Sequence, residues 1–144
     1  GSGTITPDLT IEEASSWVAA CKKEGLNSIF VIAPSSNDDR LEKVLNNCGG
    51  FVYAASIMGV TGARAKVSSA AEELVSRARK FTKLPISVGL GVSTPEQARD
   101  VSKYANGVIV GSAFINAVQN APTFEAGLAA VKKLAQDLKA GIAG

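Results

Sequence analysis

The sequence predicts an α/β fold built on a parallel sheet. Three observations carry that prediction. Short apolar runs alternate with stretches that read as helix along the whole chain. The runs show little alternation of apolar with polar residues, as expected of parallel strands covered on both sides. Helix starts are marked by Ser or Thr followed three residues later by Glu, the spacing of a capping box.

The expected strands are Thr4–Thr6, Ser28–Ile32, Phe51–Ala55, Ile86–Val88 and Gly107–Val110. A first helix is expected over Ile11–Glu24, opened by Thr10 with Glu13 and closed by Gly25 as a C′ residue. A second is expected over Asn37–Asn47, before Gly49-Gly50. A third, opened by Ser69 with Glu72, runs to Thr82 and is stopped by Lys83-Leu84-Pro85. A fourth covers Pro95–Tyr104, opened by Ser93 with Glu96, with Pro95 in its first turn. A short helix follows Gly111-Ser112, and a last one starts near Thr123. Its Leu128, Val131, Leu134, Leu138 and Ile142 share one face, which reads as core packing, and Trp17 on the first helix reads as a packing residue too.

With 144 residues the chain is expected to form one domain, 1–144, since about 100–200 residues is usual. Gly1-Ser2 reads as the remnant of a cleaved tag, and 1–3 is left out of the fold. The net charge is +2 from 15 basic and 13 acidic residues, interspersed, which gives no footprint for nucleic acid. The apolar runs fall short of the ~18–20 residues of a membrane span. Cys21 and Cys48 lack metal-ligand spacing and read as reduced packing residues of a cytoplasmic protein. With no histidine, a His-dependent triad is excluded, and no metal site is expected.

Two layouts suit the element order. One is an open doubly wound, flavodoxin-like sheet. The other is part of a (β/α)8 barrel, of which a chain this long supplies about half, a whole barrel taking ~250 residues. Three small-residue loops each follow an apolar strand: Ser56–Gly62, Gly89–Ser93 and Gly111–Ala113. Such loops expose backbone N–H groups, and the last two lead into helix N-termini, which suits a phosphate dianion. Gly89 and Gly91 can also be read as ordinary turns, Ser112 as an N-cap, and Tyr53 as a core residue. Gly89–Thr94 lacks the third glycine of a dinucleotide fingerprint.

Taken in order, Pro7-Asp8-Leu9, Ile29–Pro34 with Asn37-Asp38-Asp39, Tyr53–Ser56, Gly59–Ala63, Gly89–Gln97 and Gly107–Ala113 resemble the tryptophan synthase alpha family over nearly the whole chain. The resemblance implies half of a TIM (β/α)8 barrel, the C-terminal half. Thr4–Thr6 would be a stub of strand four, and the next four strands would be strands five to eight. It implies a lyase of tryptophan biosynthesis that cleaves indole-3-glycerol phosphate to indole and glyceraldehyde 3-phosphate, with no cofactor. By the same resemblance, Gly62, Gly91, Gly111 and Ser112 hold the substrate phosphate or another phosphate or sulfate anion. Tyr53 and Leu90 line the substrate pocket, and Gly59 and Thr61 belong to a mobile loop. Ile57 stands where the family usually has Arg. The family's catalytic Glu and Asp lie on the second strand and the loop after it, which have no counterpart here. No catalytic residue is therefore assigned, and Asp8 matches a supporting position. The intact family's partner is the beta subunit. A half-barrel is also expected to self-associate through its strand edges, with inner-face residues such as Val31, Val52, Val88 and Ile109 poorly covered.

Overall fold

The structure is a computed structural model of the 144-residue chain and describes residues 1–55, 64–89 and 91–143, with side chains from residue 70 onward in the second of these stretches. Its strands are β1 (Gly3–Thr6), β2 (Asn27–Ile32), β3 (Val52–Ala55), β4 (Ile86–Gly89) and β5 (Gly107–Ile109). The helices are α1 (Ser15–Lys23), α2 (Asp38–Leu45), α3 (Arg64–Ala78), α4 (Pro95–Ser102), α5 (Ser112–Gln119) and α6 (Phe124–Ala143). All pairings are parallel, and the strands lie in the order β1-β2-β3-β4-β5. A doubly wound sheet reverses its strand order at a switch point. No reversal exists here, so the flavodoxin-like layout is excluded. The sequential winding is that of a barrel.

Crossovers of the usual right hand between successive neighbours put α1 to α4 on one face of the sheet. The burial pattern agrees: β3 and β4 alternate, with Val52, Ala54, Ile86 and Val88 buried and Tyr53, Ala55, Ser87 and Gly89 half-buried. β3 and β4 are thus covered on one face, whereas β2 buries Ser28, Ile29 and Phe30 in succession and so is covered on both. Val52 and Val88 are core residues under the helices, contrary to their expected place on the inner face. Val31 lies in the same register row as Tyr53, Ile109 in the row of Gly89, and both are half-buried.

The core is built by helical periodicity meeting that face. Leu41, Val44 and Leu45 of α2, Ala71, Leu74, Val75 and Ala78 of α3, and Ala98 and Val101 of α4 join Phe30, Ile32, Val52, Ile86 and Val88 in one cluster. Cys21 is buried and Cys48 is half-buried, and burial pushes the Cys48 thiol up from its ordinary pKa.

Several helix boundaries differ from those expected. The Thr10 hydroxyl donates to the Glu13 carboxylate (2.8 Å), and Glu13 N–H donates to Thr10 C=O (3.1 Å). This closes a tight turn, and α1 starts only at Ser15. It ends at Lys23 with Glu24 as C-cap, and Gly25 follows with φ +67°, as the C′ reading requires. Helix α3 begins at Arg64, so Ser69 lies inside it and cannot cap it. Trp17 is 38% exposed, and of the apolar stripe on α6 only Leu138 is buried, while Leu128 (53%) and Ile142 (46%) face out. The stripe is apolar along its length, but the described residues cover only part of it.

Leu41 is fully buried in the shared cluster. Leu41→Ala is expected to lower stability by about 2–5 kcal/mol in urea unfolding, through lost burial plus the cavity left behind.

Candidate functional site

The register places the ends of β3, β4 and β5 in one row, Ala55↔Gly89↔Ile109. The three strands therefore end side by side at the C-terminal edge of the sheet. In a (β/α)8 barrel that edge is where sites are built. Gly59, Thr61, Gly62 and Leu90 lie outside the described residues, with the rest of Ser56–Ala63. Gly91, Gly111, Ser112 and Tyr53 are described, and the sheet brings their segments to this edge.

The two helix starts at the edge differ. Ahead of α4 the N-cap is Thr94, whose hydroxyl accepts from Gln97 N–H (3.3 Å). The Gln97 side-chain oxygen in turn accepts from the N–H groups of Ser93 (2.8 Å) and Thr94 (3.2 Å). The capping box is thus Thr94 with Gln97, one residue later than the expected Ser93 with Glu96. Pro95 at the first helical position is the signal that places it there. These two N–H groups are already engaged by the protein and are not open to a ligand. The exposed Glu96 carboxyl is held below its usual range, first by its own backbone N–H and then by the Thr94 hydroxyl.

Helix α5 is different. Its N-cap is Gly111, not Ser112, and no side chain caps it. Ser112 is its first residue and is exposed. An uncapped start presents N–H donors and the positive end of the helix dipole to an anion. Among the described residues, a Cβ built at Gly91 or Gly111 meets nothing within 4 Å. Gly91 has φ +67°, the left-handed region, where a side chain would be strained.

On the inner face Tyr53 pairs in register with Ser87 and leans toward the edge. A Cβ at Gly89 would lie 2.6 Å from the Tyr53 hydroxyl oxygen and 2.9 Å from its ring. Gly89 is therefore the floor on which the Tyr53 ring rests. This contact and the Gln97 box were not expected from the sequence. A third such feature is Arg77, which donates to the Asp38 carboxylate (2.8 Å) and to the carbonyls of Ser36 and Pro34, pinning the loop between β2 and α2. Asp8 lies just past β1 and is exposed. Among the described residues no cluster of His, Cys, Asp and Glu could hold a metal, and no helix is long and apolar enough to cross a membrane.

Gly89→Ala is expected to cost about 1–3 kcal/mol by overpacking against Tyr53. In a double-mutant cycle Tyr53→Leu should relieve part of that cost, and strict additivity would contradict the contact.

Comparison with known proteins agrees with the fold. The family described as "Tryptophan synthase alpha chain" matches residues 2–143. The tryptophan synthase alpha chain of Acidothermus cellulolyticus is 54% identical over 99% of this chain and 52% of its own length. That of Streptomyces coelicolor is 51% identical over 100% of this chain and 53% of its own. Mycobacterium tuberculosis tryptophan synthase superposes with a TM-score of 0.85 at 46% identity, over 99% of this chain and 52% of that one. The tryptophan synthase complex of Pyrococcus furiosus gives 0.79 at 28% identity, over 96% and 55%. The chain spans about half the length of the curated relatives it matches, and the five parallel strands and six helices among its described residues match about half of a tryptophan synthase alpha barrel. It belongs to the tryptophan synthase alpha chain family.

Proposed function

We propose that this chain is the C-terminal, phosphate-gripping half of a tryptophan synthase alpha-type lyase. On this reading β1 is the stub of barrel strand four, and β2 to β5 are strands five to eight. The family's substrate, indole-3-glycerol phosphate, places its phosphate on backbone N–H groups of Gly62, Gly91 and Gly111 and on Ser112. Tyr53 and Leu90 flank the rest of the substrate, and Gly59 and Thr61 sit in the loop that closes over it. The observation that carries the reading is the row Ala55↔Gly89↔Ile109 leading to the uncapped start of α5. The barrel rule places a phosphate site after the last two strands, beside a short extra helix, and α5 with its eight residues fits that description.

Cleavage of this substrate requires proton transfer at the indole ring and at the glycerol hydroxyl. Positioned acid–base groups contribute about 10²–10⁴-fold each. The two carboxylates that serve the family lie in segments with no counterpart in this sequence, so the chain by itself grips and does not cut. Docking to the beta subunit draws partly on those same segments and is not expected of this chain alone.

Titration with inorganic phosphate is expected to shift the amide resonances of Gly91, Gly111 and Ser112. Gly111→Asp places a carboxylate at the N-cap of α5, where it caps the helix and repels an anion. Stability should hold or rise by a few tenths of a kcal/mol, while phosphate affinity falls by about tenfold or more. Unchanged affinity would remove the assignment, and indole release from indole-3-glycerol phosphate by the pure chain would refute the loss of catalysis.

A second reading is favoured by the apolar residues at the two ends of the sheet. Ile5 and Trp17 are exposed at the β1 end, and Ile115, Phe124 and Leu128 at the α5 and α6 end. Parallel edges and apolar flanks of this kind suit a two-fold pairing of copies, β5 of one beside β1 of the next. Light scattering should then report a dimer, and a monomer at high concentration would refute it.

A further inference from the structure

Helix α6 touches both helices that stand behind the candidate phosphate loops. Near its start, a Cβ built at Gly127 lies 3.5 Å from the Val118 Cα and 3.6 Å from the Ala121 side chain, at the end of α5. Near its end, Gly141 is pressed against the first residue of α4. A Cβ there would lie 2.8 Å from both Cα and carbonyl carbon of Pro95, and closer still to the Pro95 carbonyl oxygen. One turn further along α4, Arg99 Nε donates to Gly141 C=O (3.3 Å). Two ties a turn apart fix both the height and the rotation of α4 against α6.

The start of α4 is rigidly joined to the loop before it. Gln97 holds the N–H groups of Ser93 and Thr94, and Val92 is buried at 3% exposure. The position of Pro95 therefore sets the position of the Gly91–Ser93 segment. Backbone against backbone leaves no flexible side chain to absorb a change, and close-packed interiors transmit such displacements.

We infer that Gly141 is a positioning residue for anion binding: by seating Pro95 against α6 it sets where Gly91 stands relative to the start of α5. This rests on the phosphate reading above. Gly141 touches no ligand and acts through α4 alone. Its glycine identity follows from the contact with Pro95, which any Cβ would push apart.

The test compares Gly141→Ala, Arg99→Met and Leu41→Ala with the parent chain, by urea unfolding, by amide chemical shifts and by titration with inorganic phosphate. Gly141→Ala should move the amide resonances of Gly91–Ser93 while leaving those of β1 and β2 in place. It should weaken phosphate binding by about fivefold or more, since small misplacements of positioned groups are costly. Arg99→Met adds no atom at the contact and should act in the same direction more weakly, so it carries the test if Gly141→Ala does not fold. Leu41→Ala, with a comparable or larger loss of stability, should leave phosphate affinity within about twofold. A folded Gly141→Ala chain with parental shifts at Gly91–Ser93 and parental affinity would overturn the inference. If the parent binds no phosphate, the phosphate reading fails, and the amide shifts alone decide whether Gly141 seats the loop.

Discussion

Successive parallel neighbours joined by right-handed crossovers can carry their helices on one face of the sheet only. Most of the structure follows from this constraint. Val52, Ala54, Ile86 and Val88 meet the helices and form the core, while the alternate residues, Tyr53, Ala55, Ser87 and Gly89, face the other way. The in-step register of β3, β4 and β5 then ends the three strands together at one edge.

At the edge, the use made of each helix N-terminus depends on what caps it. An N-terminus attracts an anion only while its N–H groups are free. Helix α4 satisfies part of its own with Gln97, which makes it a rigid support, and α5 starts at a glycine and stays open. The two starts thus divide the work. One holds the loop bearing Gly91 in place, and the other offers its dipole. Helix α6 links them, touching α5 at Gly127 and α4 at Gly141.

Much of this was legible in the sequence, for identifiable reasons. Strand positions followed from short apolar runs, and all five were found within one residue of their expected ends. The glycines after the strands, with their order and spacing, pointed to the family. Helix starts were less legible, because Ser93–Glu96 and Thr94–Gln97 both have capping-box spacing and only one can be used. Thr10 with Glu13 has the same spacing but closes a turn, since the hydroxyl bonds to the carboxylate and not to the helix backbone. The apolar stripe on α6 was visible as a stripe, but periodicity cannot say which part of it another element covers.

The sequence by itself determined the element order and the parallel sheet, because these depend on local propensity and periodicity within a few residues. Only the tertiary structure decided which face of each strand is core, that Tyr53 rests on Gly89, that Arg77 pins the loop after β2, and that Gly141 seats Pro95. Those contacts join residues 36 to 46 positions apart. Their strength depends on distances of tenths of an ångström, which no local pattern encodes.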